Sequence, residues 1–370
     1  MKSNKRNQII FFFPLFELGG VEKNFFLISN YICKKIKHIN FQLITFEKTI
    51  FLKKNLNRKI KINLPNFNYF FLSRRIKFIF CMYELFLKCL NNPKACIFSF
   101  QGNFYALIIA IILRRKIIVR SNISPEYWAK NYLKKKIFKF LLSKSDLIIV
   151  NSEDFSRRFK KIFNLKPVTI HNPIYNEKNF KTIKDKFFKK NTINLINIGR
   201  LVKQKNQSEI IEALSTINDL KNFRLLIVGN GPEKNNLMNL IREKRMSDYV
   251  KIISDQNNKN YYLKKSDVFV LSSLYEGFPN VLLEAAIKKK YIISSDCPTG
   301  PRELIKTYKF GELYKTNSVV NLNKILKILL INKKFLKKNK KKIKLNSVLF
   351  DPKYNLEKYK TELTQIIYQA

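Results

Sequence analysis

The chain has 370 residues, of which 46% are hydrophobic, and it carries a formal net charge of +46. This length suits two domains of ordinary size, and the hydrophobic fraction can supply a core for each. The longest apolar run, from Ala106 to Leu113, is too short to span a bilayer, so we expect no transmembrane helix. The five cysteines are an odd number without metal-ligand spacing, which argues against a disulfide framework and favours a reducing cytoplasm.

The excess of basic residues extends along the whole chain. Residues 1–180 contain 34 Lys plus Arg against 9 Asp plus Glu, and the remaining residues keep a net charge of +21. Composition alone suggests nucleic acid or an anionic membrane surface as a partner. Heavy use of Lys, Asn, Ile and Phe is also typical of proteins from AT-rich genomes. The even spread therefore favours codon bias combined with attraction to an anionic surface over one nucleic-acid groove.

The first predicted strand, Ile9 to Phe13, is followed by a turn that contains Gly19 and Gly20 and then by a helix. Glycines at such a turn can let the backbone come close to a ligand, although a plain glycine turn would give the same pattern. Farther along, the basic and Asn-rich segment from Ile50 to Arg75 predicts a strand with loops that form part of an acceptor surface.

A predicted strand from Ile117 to Arg120 ends in a polar loop that contains Asn122 and Glu126. This loop lies at the carboxyl end of a strand, where open parallel sheets bind ligands. For Glu126, a role on the loop surface is favoured over one as an acceptor-side carboxylate. His171, at the end of the N-terminal half, is predicted to be structural.

The segment Tyr132 to Leu142 places four lysines among apolar residues in a helical pattern. A basic amphipathic helix can lie on an anionic bilayer through charge attraction and partial burial of its apolar face. An ordinary packed helix with a solvated lysine face fits the same pattern. The sequence does not decide between these two interpretations.

The strand pattern restarts at Asn194 to Ile198, after a charged linker, and marks a second domain. Arg200 and Lys205 lie in the loop that follows this strand. Two cations in one loop match a pyrophosphate electrostatically, and the guanidinium can bind it in fork geometry. The turn after the next predicted strand contains Gly229 and Gly231, which alone are a weak Gly-rich signal.

The stretch from Ser266 to Ile305 organises the rest of the chain. It predicts a strand at Val268–Leu271 and a turn at 276–279. A helix at Asn280–Lys289 and a second strand at Tyr291–Ser294 follow. Glu276 lies at the carboxyl end of the first of these strands, and Glu284 follows one helical turn beyond Asn280, so both carboxylates can face one cleft.

Backbone amides at the start of this helix, those of Gly277, Phe278 and Asn280, suit oxygens or negative charge. Two carboxylates beside a positive helix end match a ligand that has both hydroxyl groups and phosphate. A nucleotide sugar is such a ligand.

Two motifs give the chain a resemblance to a known family. The sequence Tyr-Glu-Gly-Phe-Pro-Asn-Val-Leu-Leu-Glu-Ala contains a Glu-x7-Glu pattern, and Gly-Arg-Leu precedes Lys205. Both resemble glycosyltransferase family 4, whose members are retaining enzymes. The resemblance implies an α/β fold with two Rossmann-like domains that face a central cleft, the GT-B arrangement. It implies domains at 1–178 and 179–350, with 351–370 a helix that returns to the first domain.

The resemblance also implies roles for individual residues. Glu276 would lie by the donor sugar with Gly277, Phe278, Pro279 and Asn280, and Glu284 would bind the ribose. Arg200 and Lys205 would hold the diphosphate. Further substrate contacts implied by similar segments are Gly19, Gly20, Arg120, Asn122, Gly229 and Gly231. Relatives commonly have a Gly in the loop 254–258, which this chain lacks. The Thr299-Gly300 pair fits a contact in the cleft and a structural turn equally well.

The resemblance therefore implies a retaining hexosyltransferase. No Asp-x-Asp motif occurs, which is consistent with metal independence, and we expect no cofactor. The donor is expected to be a UDP-sugar, and the acceptor a lipid-linked glycan in surface polysaccharide, lipopolysaccharide or glycoprotein-glycan assembly. The protein would be cytoplasmic and peripheral on the inner face of the membrane. Two alternatives stay open: a nucleotide-sugar epimerase or hydrolase on the same fold, and a non-catalytic protein that binds RNA or another anionic polymer.

Overall fold

A computed structural model describes residues 7–16, 19–47, 50–65, 73–129, 131–175, 186–254, 258–309, 311–331, 336 and 351–368. The chain divides into two compact units, residues 1–173 with 348–370 and residues 174–347. Each unit is an α/β domain with a parallel sheet, which confirms the predicted fold class. The predicted boundary between 178 and 179 lies in 176–185, outside the described residues.

The first unit contains a seven-stranded parallel sheet with the order β3-β2-β1-β4-β5-β6-β7. Its strands are β1 (Gln8–Phe12), β2 (Asn40–Ile44), β3 (Ile60–Asn63), β4 (Ala95–Ser99), β5 (Lys116–Arg120), β6 (Leu147–Val150) and β7 (Val168–Thr169). The helices between them are α1 (Gly20–Lys35), α2 (Ile50–Asn55), α3 (Arg74–Asn91), α4 (Asn103–Leu113), α5 (Pro125–Trp128), α6 (Tyr132–Ser143) and α7 (Glu153–Phe163).

The second unit contains a six-stranded parallel sheet with the order β10-β9-β8-β11-β12-β13. Its strands are β8 (Ile193–Ile198), β9 (Phe223–Val228), β10 (Val250–Ile253), β11 (Val268–Leu271), β12 (Tyr291–Ser295) and β13 (Gly311–Tyr314). Its helices are α8 (Gln207–Ser215), α9 (Lys234–Glu243), α10 (Lys259–Lys265), α11 (Asn280–Ile287), α12 (Pro301–Tyr308) and α13 (Val319–Ile331), with 3-10 turns at Lys203–Lys205 and Leu220–Asn222.

Continuous apolar runs form the central strands because helices cover both faces of a parallel sheet. All residues of β1, β4, β8 and β9 are buried. In the first unit, Phe rings fill one side of the sheet: Phe25 meets Phe11 edge-to-face at 5.8 Å and Phe100 at 5.1 Å between ring centroids. The many Phe residues of this chain thus supply core volume.

In both sheets the strand order reverses at one point, between β1 and β4 and between β8 and β11. Loops that leave neighbouring strands at such a point diverge to opposite faces of the sheet and open a crevice at the carboxyl ends. In the second unit, the loop after β8 carries Arg200 and Lys205, and the loop after β11 carries Glu276.

The last helix, α14 (Pro352–Tyr368), belongs to the first unit. It packs on α1 and buries Leu356, Tyr359 and Leu363 in the core below β1 and β4. The segment predicted as a strand with loops between Ile50 and Arg75 also contains helix α2, and residues 66–72 are outside the described part. No helix within the described residues is long and apolar enough to cross a membrane.

Arg120 joins α14 to the sheet through a side chain that is only 1% exposed. Its Nε donates to the Tyr359 hydroxyl at 2.9 Å, Nη2 donates to Asn172 Oδ1 at 2.6 Å, and Nη1 donates to Asn122 Oδ1. The guanidinium also stacks over Phe100 at 5.7 Å. These partners are all neutral, so the buried charge depends on every one of its hydrogen bonds.

We predict that Tyr359→Phe lowers the free energy of unfolding of the first unit by about 1.5–3 kcal/mol, because one N–H of a buried charged group loses its acceptor. Urea unfolding followed by fluorescence measures this unit selectively, since Trp128 is the single tryptophan of the chain.

The matched control is Tyr368→Phe at the end of the same helix, where the side chain is 54% exposed. This variant should unfold like the parent protein. Equal stability of the two variants would show that the Tyr359 hydroxyl does not support Arg120.

Candidate active site

The loops after β8 and β11 meet in an ion pair. Lys205 Nζ lies 2.5 Å from Glu276 Oε1, and the two side chains are 17% and 7% exposed. The residues are 71 positions apart in the chain. Their contact follows from the strand order, because β8 and β11 are neighbours in the sheet. The structure therefore brings together two of the three residues that were predicted to be catalytic.

Glu276 is held from several directions. The Ser273 hydroxyl donates to Glu276 Oε1 at 2.5 Å, and the Thr299 hydroxyl donates to the backbone carbonyl of Glu276. Ser295, in turn, donates to the carbonyl of Ser273 at 2.7 Å. With Lys205 and Ser273 on its carboxylate and Thr299 on its carbonyl, Glu276 loses little conformational entropy when it binds a ligand, so it is preorganised for a polar contact.

Backbone and amide contacts join the two loops next to the ion pair. Leu274 N donates to Gln204 O at 2.9 Å, and Gln204 Nε2 donates to Tyr275 O at 2.7 Å. Ser272 Oγ donates to Lys205 O at 2.8 Å. The position of the Lys205 ammonium group is therefore set by the loop after β11 as well as by the loop after β8, in which Lys205 lies.

Arg200, the third predicted catalytic residue, is exposed at the start of the loop that carries Lys205. Its carbonyl accepts a hydrogen bond from Gln207 Nε2 at 3.0 Å, which ties the loop to α8. The methylene stem of Lys205 lies over Gly199, where an added Cβ would be 3.7 Å from Lys205 Cδ. Of the two cations predicted to bind the diphosphate, Lys205 is paired with Glu276 and Arg200 has an exposed side chain.

The turn between β11 and α11 packs against the loop after β12. Gly300 has a φ of +87°, and a Cβ at this position would lie 2.6 Å from Pro279 Cδ. Phe278 is buried, and α11 begins at Asn280. The Thr299 hydroxyl also contacts the Glu276 carbonyl, so Thr299 and Gly300 together stabilise the turn.

Glu284, the predicted ribose ligand, lies on α11 and pairs with Lys259 at the start of α10. Lys259 Nζ is 2.6 Å from Glu284 Oε2, and the side chains are 25% and 12% exposed. Sequence reasoning missed Lys259, because one more lysine in a chain this basic carries no signal. Its position at the first residue of the helix after β10 is the only feature that could have pointed to it.

Gly229 and Gly231 have a packing role that the sequence did not reveal. A Cβ on Gly229 would lie 1.9 Å from Gly199 O, and one on Gly231 would lie 2.3 Å from Leu201 O. Asn230 O accepts from Leu201 N at 2.9 Å between them. The two glycines are therefore needed for close backbone approach to the Arg200 loop, and their contact with a substrate stays a prediction.

Gly19 and Gly20 lie at the start of α1 and are exposed. Gly19 N donates to Glu22 Oε2 at 2.8 Å, so this amide already has an anionic acceptor from its own helix. Arg120 and Asn122 are occupied by the buried network at α14. For these four residues, the structural contacts are clear and substrate binding stays a prediction.

Cys297 is the thiol nearest to this chemistry, and it is 2% exposed. The pKa of Cys297 is raised to about 12, chiefly by burial and also by the Glu276 carboxylate, while Lys205 acts in the opposite direction. A thiol with such a pKa stays protonated at neutral pH and is a poor nucleophile. The reactive capacity of the site lies in its carboxylates and cations.

Comparisons with known proteins identify a family and relatives that this chain resembles. Residues 179–346 match the family "Glycosyl transferases group 1". A Campylobacter jejuni protein, N-acetylgalactosamine-N,N'-diacetylbacillosaminyl-diphospho-undecaprenol 4-alpha-N-acetylgalactosaminyltransferase, is 28% identical over 75% of this chain and 78% of its own length. A glycosyltransferase from Methanocaldococcus jannaschii is 32% identical over 54% of each protein.

Among solved structures, Anabaena HepE in complex with UDP-glucose superposes with a TM-score of 0.76. The match covers 97% of this chain and 99% of HepE at 17% sequence identity, so it concerns the fold. The second unit therefore matches the group 1 glycosyl transferase family over most of its length. The chain is a glycosyltransferase, and its two parallel-sheet α/β domains match the GT-B fold of the solved structures.

Proposed function

We propose that this glycosyltransferase moves a hexose or N-acetylhexosamine from a UDP-sugar to a hydroxyl group of a lipid-linked glycan. The observation that carries the proposal is the Lys205–Glu276 pair at the strand-order reversal of the second unit, with Arg200 on the same loop. A carboxylate can bind sugar hydroxyl groups and the two cations can bind the diphosphate, so the site matches both parts of such a donor.

The proposed chemistry assigns a separate task to each charge. As the bond between the anomeric carbon and the diphosphate oxygen breaks, negative charge grows on the leaving group, and Lys205 and Arg200 stabilise it. Glu276 holds the sugar, and the acceptor hydroxyl passes its proton to an oxygen of the departing diphosphate as its own oxygen bonds to the anomeric carbon. These cations take the place of a metal ion, and the configuration at the anomeric carbon is retained.

Glu284 is proposed to bind the ribose hydroxyl groups of the donor. Its carboxylate is already ordered by Lys259, so ribose binding would add hydrogen bonds to an oriented group. The Lys259 ammonium has three N–H donors and can keep its contact with Glu284 while a ribose binds.

The acceptor and location are proposed on the basis of the Campylobacter jejuni relative, whose name gives it a saccharide on diphospho-undecaprenol as acceptor. A similar acceptor for this chain would place the reaction at the inner face of the cell membrane, in the assembly of a surface polysaccharide or a related glycan.

Incubation of the purified protein with individual UDP-sugars and a membrane lipid extract, followed by mass spectrometry, tests the reaction class. We expect UDP release only when the extract is present, and a glycolipid heavier by one hexose or N-acetylhexosamine unit. UDP-sugar consumption without any acceptor would instead indicate a hydrolase or an epimerase.

Lys205→Ala and Arg200→Ala should each lower kcat by roughly 10²–10³, because each removes a charge that stabilises the leaving diphosphate. Glu276→Gln should also lower transfer strongly while keeping the size of the side chain. Turnover is measured as UDP release with the acceptor in excess.

Lys203→Ala is the control for these variants, since Lys203 lies in the same 3-10 turn as Lys205 and is exposed. It should keep near-normal turnover, and circular dichroism should show that all variants are folded. Normal turnover in Lys205→Ala, Arg200→Ala and Glu276→Gln would place the active site elsewhere.

Glu284→Ala should weaken UDP binding by roughly tenfold to a hundredfold, the usual effect of losing hydrogen bonds to a charged group. The parent protein should prefer UDP over its 2′,3′-dideoxy analogue, and Glu284→Ala should bind both alike in isothermal titration calorimetry. A preference for UDP that survives in Glu284→Ala would show that another residue binds the ribose.

A further inference from the structure

Helix α6 in the first unit presents apolar side chains to solvent. Tyr132 is 72% exposed, Leu133 67%, Ile137 42% and Phe140 56%. Positions 133, 137 and 140 follow the i, i+4, i+7 spacing of one helix face. Single exposed apolar residues are common on protein surfaces, whereas a contiguous row of four is a feature of an interaction site.

The orientation of α6 is fixed by its other face. Leu141 and Leu142 are buried in the first-unit core, and Phe138 stacks on Trp128 at 5.2 Å and contacts Phe104 at 5.6 Å between ring centroids. The Asn131 side chain caps the helix by accepting from Lys134 N at 2.9 Å. The row of exposed apolar side chains therefore belongs to a well-anchored helix.

Lysines surround this apolar row. All four lysines of the helix are exposed: Lys134, Lys135, Lys136 and Lys139. Lys136 Nζ lies 4.5 Å from the Tyr132 ring centroid, and Lys144 Nζ lies 5.6 Å from that of Phe140. No acidic residue occurs between positions 127 and 145. Apolar side chains flanked by cations match the surface of an anionic bilayer, because the apolar groups can enter the acyl chains while the ammonium groups contact the lipid phosphates.

We propose that the exposed face of α6, formed by Tyr132, Leu133, Lys136, Ile137 and Phe140, docks the protein on a bilayer that contains anionic phospholipid. Lysine alkyl stems would lie along the apolar region while their ammonium groups bind lipid phosphates. A protein partner would need an apolar surface of matching shape with acidic residues around it. An anionic bilayer offers acyl chains and negatively charged phosphates over its whole surface. The charge complementarity on this face therefore favours lipid.

This inference rests on the proposed function only for its biological purpose, which is to bring the enzyme to a lipid-linked acceptor. Vesicle binding itself needs neither donor nor acceptor. A variant that no longer docks should still transfer sugar to a water-soluble acceptor fragment, and Lys205→Ala should still dock, so the two proposals can fail separately.

The test is sedimentation of the full-length protein with vesicles of phosphatidylcholine, prepared with and without phosphatidylglycerol. We expect binding to the anionic vesicles alone, weakened by high salt because exposed charges are screened. Replacing Leu133, Ile137 and Phe140 by Ser should lower the vesicle affinity on the order of tenfold or more. Each lysine changed to Gln should lower it by about fivefold.

A second helix supplies the matched control. Helix α13 in the second unit also has exposed apolar residues, Val320 at 64%, Ile328 at 51% and Ile331 at 88%, beside exposed Lys324 and Lys327. Substituting these three apolar residues by Ser and the two lysines by Gln should leave vesicle binding unchanged. Circular dichroism and the thermal unfolding midpoint show whether each variant is folded.

Three results would overturn the proposal. The first is vesicle binding by the α6 variants that equals that of the parent protein. The second is an equal loss of binding in the α13 variant, which would assign the attraction to net charge. The third is a parent dimer in light scattering that the α6 substitutions convert to a monomer without a change in vesicle binding, which would make this face a contact between copies.

Discussion

The contact between Lys205 and Glu276 depends on the order of the parallel strands in the second unit. These residues are 71 positions apart, and only the neighbouring positions of β8 and β11 bring their loops together. Ser273, Thr299 and Gln204 then restrict the two loops through hydrogen bonds. In the proposed reaction, the diphosphate of the donor would meet an ordered pair of opposite charges. The cation of this pair can stabilise the negative charge that grows on the leaving group.

Much of this architecture could be predicted from the sequence. The apolar run Val268–Leu271 corresponds to a strand with the same limits, and Glu276 and Lys205 lie in loops at the carboxyl ends of strands, as expected. The sequence could not predict the pairing of Lys259 with Glu284, because a contact between two helices depends on the three-dimensional order of the strands below them. A lysine-rich composition also hides individual lysines that have specific partners.

A glycine or a buried charged residue indicates that the structure needs steric space or hydrogen-bond partners at that position. It does not indicate whether a ligand or the protein itself is the neighbour. Gly229 and Gly231 suggested close approach to a ligand, and in the structure the close neighbours are Gly199 O and Leu201 O. Arg120 was expected to contact a substrate, and in the structure its guanidinium donates to Tyr359, Asn122 and Asn172. Steric space and hydrogen-bond acceptors can come from the protein itself, so only the folded arrangement distinguishes these cases.

The return of α14 to the first unit has a consequence for biosynthesis. Residues 352–368 leave the ribosome after every residue of the second unit, yet Leu356, Tyr359 and Leu363 complete the core beneath β1 and β4. Until then, the nascent first unit has an uncovered apolar surface and an Arg120 without its phenol partner. The N-terminal half, although translated first, therefore cannot complete its core until the C-terminal helix has been made.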